Sequence, residues 1–561
     1  MRIYQKWGLS LLMALWVLGV SGQHLPASIT DRIDSLFRKW DRTSSPGWAV
    51  GVVRNDSLIF ARGYGMANLE YGVPISPETI FHMASVSKQF TAFSIVLLAR
   101  QGKLKLDDDI HKYLSWFPDL KEKITVRNLL THTSGVRDQW QLLSIAGTRI
   151  DDVITQDQII KVLSKQQRLN FKPGAEYLYC NSGFTMLAEI VRSVSGQTLR
   201  QFTDSAIFRP LGMKHTHFHD DYTEIVPNRS YSYNEEDNGH YSNAVLSYSN
   251  VGATSLFTNV EDMSKWVMNF YDHKVGDQRD IDQLTEQGVL TGGKKLDYAL
   301  GIAVDSFRGR RRFQHGGADA GYRTFVSIFP ELKMGVVVLC NLANVNSQAK
   351  ADQVAALFIP EAGGPEKKAA RKAYTDSAVA ILNDPATWAP FSGAYTSEDG
   401  AMFRFAVEGR KLFWVNPSGK YLLVGKGKDT AELFADPAVW FSFSNSGGGQ
   451  PISEEYWPGN HRHLWKYDTT ALADKDLMTY AGTYYCPELD CRYTISLKDH
   501  HLVMGSAKYN DERVTLIGEN LHIDWWWMSN MKIMKDTHGK ITGFEVNDGR
   551  VRHLLFKKEE S

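Results

Sequence analysis

The chain has 561 residues, 43% of them hydrophobic and 22% charged. That balance is globular, with too much apolar material for a disordered chain and too great a length for a single core. Lys plus Arg and Asp plus Glu both number 63, so no basic field marks a nucleic-acid surface or a broad attraction to anionic membrane.

Residues 1–22 have the layout of a secretory signal. Arg2 and Lys6 precede an apolar run from Trp7 to Val20, and Ser21-Gly22 supply small residues before a cleavage point near Gln23. The run is shorter than the ~20 residues of a bilayer span, so the expectation is a secreted, periplasmic protein with no stable membrane anchor. From Ser28 to about Trp40, Ile29, Ile33, Leu36 and Phe37 fall at helical spacing. Trp48–Val53 and Ser57–Arg62 then form a hairpin that turns at Asn55-Asp56. Between Ile80 and Phe270 the signal is mostly helical, broken by Gly and Pro. Residues 312–341 return to strands and end in the apolar Gly335–Cys340. This order predicts an α/β (α+β) domain over 23–362, with an antiparallel sheet built from both ends of the segment and flanked by helices.

An Ala-, Lys- and Glu-rich stretch containing Gly-Gly-Pro at 363–365 marks a linker helix over 363–387. Beyond it the texture changes. Phe391-Ser-Gly-Ala-Tyr395 recurs as Tyr480-Ala-Gly-Thr-Tyr484, and each copy precedes an alternating hairpin. Two similar antiparallel halves predict a closed barrel over 388–561, because closure removes exposed edges. Its aromatics, Trp525-Trp526-Trp527, Tyr456, Trp457 and Trp465 among them, fit a small barrel core, and a role in restricting a cleft stays open beside that. Cys486 and Cys491 are spaced for a hairpin disulfide, while Cys180 and Cys340 read as buried thiols. None has the paired C-x-x-C spacing of a zinc site, and no metal or cofactor is expected.

Three elements carry chemistry. Ala84-Ser85-Val86-Ser87-Lys88 runs into an apolar helix. A helical i to i+3 separation puts Ser85 and Lys88 on one face, where an amine of lowered pKa can take the serine proton. At the helix start, free backbone N–H groups also point at a developing anion. Ser347–Lys350 and Ser529–Lys532 repeat the S-x-x-K pattern, so it is not decisive alone. The second element is Lys172-Pro-Gly followed by Tyr179-Cys180-Asn181, a loop entering a helix; the Tyr179 phenol can share proton transfer, and Asn181 can hold both Lys88 and a substrate carbonyl. Tyr241-Ser-Asn243 and Tyr248-Ser-Asn250 match Y-x-N without that context. The third element is His315-Gly316-Gly317-Ala318. Its two glycines admit a substrate beside the strand, the Ala318 N–H pairs with that of Ser85 as an oxyanion hole, and His315 faces the cleft as a donor.

With these residues in the order S-x-x-K, Y-x-N, H-G-G, the chain resembles the serine β-lactamase-like family of class C β-lactamases, D-alanyl-D-alanine carboxypeptidases, D-aminopeptidases and esterases. Residues 124–135, Pro210–Met213, 252–258 and 336–341 resemble that family's framework. The resemblance covers roughly 28–360 and implies a penicillin-binding-type fold. It makes Ser85 the acylated nucleophile, Lys88 and Tyr179 the proton-transfer pair, Asn181 a substrate contact and His315, Gly316 and Gly317 the strand wall. His132 belongs to a structural turn in this pattern. The C-terminal region resembles the lipocalin-like barrel appended to some members.

Where the β-lactamases present the lysine of K-T-G, this chain has His315, and a mostly neutral imidazole grips a carboxylate weakly. The expected activity is hydrolysis of a peptide (D-residues included), amide or ester through acyl-Ser85. Transfer of the acyl group to an alcohol or amine is the alternative, and a weak β-lactamase or an acylated sensor comes after it.

Overall fold

The apolar strand Gly335–Cys340 proves to be the centre of a six-stranded antiparallel sheet. In the computed structural model the sheet comprises β1 (Trp48–Arg54), β2 (Ser57–Tyr64), β3 (Ala303–Phe307), β4 (Arg310–Asp319), β5 (Tyr322–Phe329) and β6 (Met334–Cys340), ordered β3-β4-β5-β6-β1-β2. The described residues are 25–361 without 237 and 238, then 379, then 382–560 apart from 398–401, 417–418, 435–438, 446–450, 458–459, 468–471 and 518–519. The signal segment and most of the linker therefore lie outside the described residues.

Strand β6 pairs with β1 from Trp48↔Cys340 to Arg54↔Met334, which joins the two ends of the domain. Its side chains alternate between two apolar layers, as the two-residue strand period requires. Val336 and Val338 pack with Ile33 and Phe37 of α1 (Ala27–Phe37) on one face. Val337 and Leu339 pack with the helical layer on the other. That layer holds α2 (Ser87–Arg100), α3 (Gln139–Ile145), α4 (Asn181–Ser195) and α5 (Val260–Asp272); α6 (Ser347–Ala355) returns to the first face. Helix α2 is buried from Ser87 to Leu98, its polar residues Ser87, Lys88, Gln89, Thr91 and Ser94 included. Among the described residues no helix is long and apolar enough to cross a membrane.

The C-terminal region is all β, as expected, but it holds two barrels. Each copy of the repeat closes on itself as eight antiparallel strands, one barrel from Gly393–Ser397 to Asn460–Tyr467 and the other from Gly482–Cys486 to Val551–Lys558. The expectation of one barrel made from two halves is thus corrected: eight short strands suffice to close a ring around one layer of side chains. The repeat itself is genuine. The Tyr395 hydroxyl donates to Phe391 O (3.0 Å) and that of Tyr484 to Tyr480 O (2.6 Å). Gly393 and Gly482, at φ 140° and 146°, leave space that Lys466 and Lys558 cross to reach Pro390 O and Thr479 O.

The two barrels differ in attachment. The first has its own core, whereas Tyr484, Tyr493, Phe544 and Phe556 of the second belong to one continuous cluster with the helical layer of the N-terminal domain. Cys486 and Cys491 face each other in register with both thiols free. The turn between them carries Glu488, which makes a buried ion pair with Arg137 at 2.7 Å.

Candidate active site

Ser85 lies in the 3₁₀ turn Ala84–Val86 that leads into α2. Ala84 enters this turn at φ 48°, a left-handed conformation that costs an L-residue about 1–2 kcal/mol and brings Ser85 to the first turn of the helix. One turn on, the Lys88 side chain is fully buried, with Nζ 3.0 Å from Ser85 Oγ, 2.9 Å from Asn181 Oδ1 and 2.7 Å from Ala253 O. Burial pushes its pKa down to about 7. A neutral amine has two N–H donors and one lone pair. Asn181 Oδ1 and Ala253 O can only accept, so they take both donors and leave the lone pair for the Ser85 hydroxyl proton.

Tyr179 stands over this amine, its ring 4.9 Å from Lys88 Nζ. Burial raises its phenol well above the ordinary value, while the Ser85 hydroxyl beside it acts in the opposite direction. The ring is held from behind by His132, whose centroid is 4.2 Å away and whose Nδ1 accepts from Cys180 N at 3.1 Å. His132 thus shapes the turn, in line with its framework position. Asn181 opens α4, and its backbone N–H and amide nitrogen both donate to Asp138 Oδ2 at 2.7 and 2.9 Å. That fixes the amide oxygen toward Lys88 and leaves one side-chain N–H for a ligand.

The strand wall is β4. Pairing with β3 stops at Ala303↔Gln314, so His315 to Asp319 are paired with β5 on one side and open to the cleft on the other. A Cβ on Gly317 would overlap Met83 O and the Thr324 hydroxyl, so only glycine lets the strand lie against the loop that carries Ser85. His315 departs from expectation. Its Nδ1–H donates to Gly316 O at 2.6 Å, and its Nε2 accepts from the Tyr298 hydroxyl at 2.9 Å. Both ring nitrogens are used inside the protein rather than offered to a ligand. Burial pushes its pKa down to about 3, so the ring carries no charge near neutral pH.

Of the eight residues read from the sequence, Ser85, Tyr179, Asn181 and His315 to Ala318 line one cavity of about 640 Å³, with Lys88 directly beneath. The S-x-x-K decoys separate: Lys350 Nζ donates to Leu36 O, and Ser529 donates to Asp548. Tyr248 of the Y-x-N decoy donates to Ile150 O and lines an outer lobe of about 680 Å³.

Several residues escaped the sequence reading. His82 donates to Asp319 Oδ2 at 2.9 Å, and Thr254 contacts the same oxygen, which ties β4 to the segment before Ser85. Arg550, on the turn before the last strand of the second barrel, lines both lobes, and its guanidinium lies 5.0 Å from the Tyr179 ring. Asn547-Asp548-Gly549 is a legible turn signal, but nothing in the sequence says where that turn docks. For a metal, His217, His219 and Glu224 bring ligand atoms within 4.8 Å of one another. Arg200 already holds both Glu224 oxygens at 2.7 Å, so that carboxylate serves an ion pair.

Residues 19–359 match the family described as Beta-lactamase. The chain belongs to that family, and it is a serine hydrolase of the β-lactamase/DD-peptidase type. A D-aminopeptidase of Gluconobacter oxydans (strain 621H) is 25% identical over 538 residues, covering 92% of this chain and 96% of that protein. One from Brucella canis is 29% identical over 325 residues, 56% of this chain and 60% of the relative. Among solved structures, the octameric penicillin-binding protein homologue from Pyrococcus abyssi superposes with a TM-score of 0.55 at 22% identity, over 78% of this chain and 99% of that one. EstCE1, a hydrolase with promiscuous acyltransferase activity, gives 0.51 at 20% identity, over 59% and 99%.

Proposed function

We propose that the protein is an exported, periplasmic hydrolase that passes through an acyl-enzyme on Ser85 and cleaves a peptide containing D-residues, or a small amide or ester. Neutral Lys88 takes the Ser85 proton as Oγ attacks the carbonyl carbon. The backbone N–H groups of Ser85 and Ala318 receive the oxyanion, and Tyr179, between Lys88 and the cleft, passes the proton to the leaving group. Water then repeats the sequence on the ester. The observation that carries this reading is the Lys88 amine, with both donors taken by acceptors and Ser85 Oγ 3.0 Å away.

A generic aryl ester and a panel of D-peptides test it. Wild type should show an adduct on Ser85 by intact mass, and Ser85→Ala should lose both adduct and turnover; a Ser85→Ala variant cleaving at the wild-type rate would overturn the reading. Acyl transfer is the second reading, favoured by the Trp140, Tyr248 and Trp526 walls of the outer lobe, where an apolar acceptor can displace water. Adding an alcohol or amine acceptor should then change the product ratio, which a pure hydrolase leaves constant.

A further inference from the structure

We propose that Arg550, supplied by the second barrel, is the specificity-determining cation of the cleft and that, with Arg323, it receives a carboxylate on the substrate. The proposal deepens the acyl-Ser85 reading and rests on it.

The Arg550 backbone is pinned on both sides. Its N–H donates to Gln141 Oε1 at 2.7 Å, and its carbonyl accepts from Asp138 N at 3.2 Å and Asn170 Nδ2 at 2.9 Å. Barrel and catalytic domain therefore place this side chain together. Among the described residues its guanidinium has no hydrogen-bond acceptor. The one carboxylate within 4 Å is Asp138, whose Oδ2 is 3.9 Å away and already accepts twice from Asn181. Arg323, on β5 opposite Ala318, spends Nη1 on the carbonyls of Ala320 and Tyr322 and has no carboxylate within 4 Å among the described residues.

The acids along the same walls are engaged elsewhere, Asp319 with His82 and Thr254 and Asp151 with Arg149. Two guanidinium groups thus line the cleft that contains Ser85, each with donors to spare. Such groups match a carboxylate in charge and in planar fork geometry. An ammonium in the same place would meet like charge. His315, with both ring nitrogens occupied, does not compete for the role.

The test uses the full-length protein and three aryl esters with matched acyl chains that end in a carboxylate, a neutral amide or an ammonium. Wild type should prefer the anionic ester, mainly through KM. Arg550→Ala should lower the anionic-to-neutral ratio of kcat/KM by about 10- to 100-fold, the range of a charge-assisted hydrogen bond. Arg550→Glu should turn the preference toward the ammonium ester, and Arg550→Lys should retain part of the original. Equal rates on all three esters in wild type, or a loss in Arg550→Ala shared equally by all three, would overturn the assignment. Ser85→Ala separates the two readings: turnover persisting there defeats the acyl-Ser85 mechanism, whereas equal rates with Ser85 essential defeat only the role of Arg550.

Discussion

Below about pH 7 the buried Lys88 amine gains a proton and loses the lone pair that faces Ser85. The direction follows from burial, which disfavours the ammonium and brings the group far below the ordinary lysine value of about 10.4. In kcat/KM against pH for an uncharged ester, an acid limb should therefore appear near pH 7, falling about tenfold per unit below it. His315, held neutral down to about pH 3, contributes no limb between pH 5 and 9. A profile flat from pH 5 to 8 would remove Lys88 as the base. Replacing the amine by Lys88→Ala should lower kcat by about 10²- to 10⁴-fold, the usual worth of a positioned base.

At the scale of elements, the site depends on how closely strand β4 approaches the loop before α2. Thr324 donates to Met83 O at 2.9 Å, and Gly317 has no room for a Cβ between them. Gly317→Ala should push the strand outward and cost about 10²-fold in kcat/KM, because an ångström of misplacement is enough for that. Far-ultraviolet circular dichroism should stay that of wild type, and an unchanged kcat/KM would contradict this account. A second junction is the loop between His132 and α3. Arg137 is fully buried and donates to Glu488 Oε2, Gln166 Oε1 and the carbonyls of Arg552 and His553, while Asp138 beside it holds Asn181. Arg137→Ala leaves a buried carboxylate unpaired, at a cost of about 3–5 kcal/mol. Urea unfolding should show that loss. Glu488→Gln added to Arg137→Ala should recover part of it, because the stranded charge is then gone.

Across the whole molecule, the continuity of the core predicts how it comes apart. The second barrel shares one apolar cluster with the helical layer of the catalytic domain, and the first barrel does not. Tyr493 and Tyr509 add hydroxyls that donate to Ile145 O and Ser144 O at the end of α3, both at 2.8 Å. Calorimetry should resolve two transitions: the first barrel alone, and the catalytic domain with the second barrel as one cooperative unit. A reversible ligand of the Ser85 cleft should raise only the latter, by mass action on the folded form. A single transition, or a ligand shift in both, would contradict this division.

The sequence by itself determined the sheet-and-helix domain, the grouping of Ser85, Lys88, Tyr179 and Asn181 that the structure brings together, and the all-β repeat that follows. These are carried by local spacing, namely one helical turn between Ser85 and Lys88, two residues between Tyr179 and Asn181, and alternation along each strand. Only the tertiary structure decided what depends on partners far apart in the chain. That each repeat closes into its own barrel is set by pairings such as Ala394↔Tyr467 and Tyr484↔Lys558. The occupied ring of His315 follows from the position of Tyr298. Arg550 reaches the cleft only because Asp138, Gln141 and Asn170 hold its turn there. Docking of one surface on another leaves no periodicity in a chain, so the residues that complete this cleft from the barrel side became visible only when the domains were seen together.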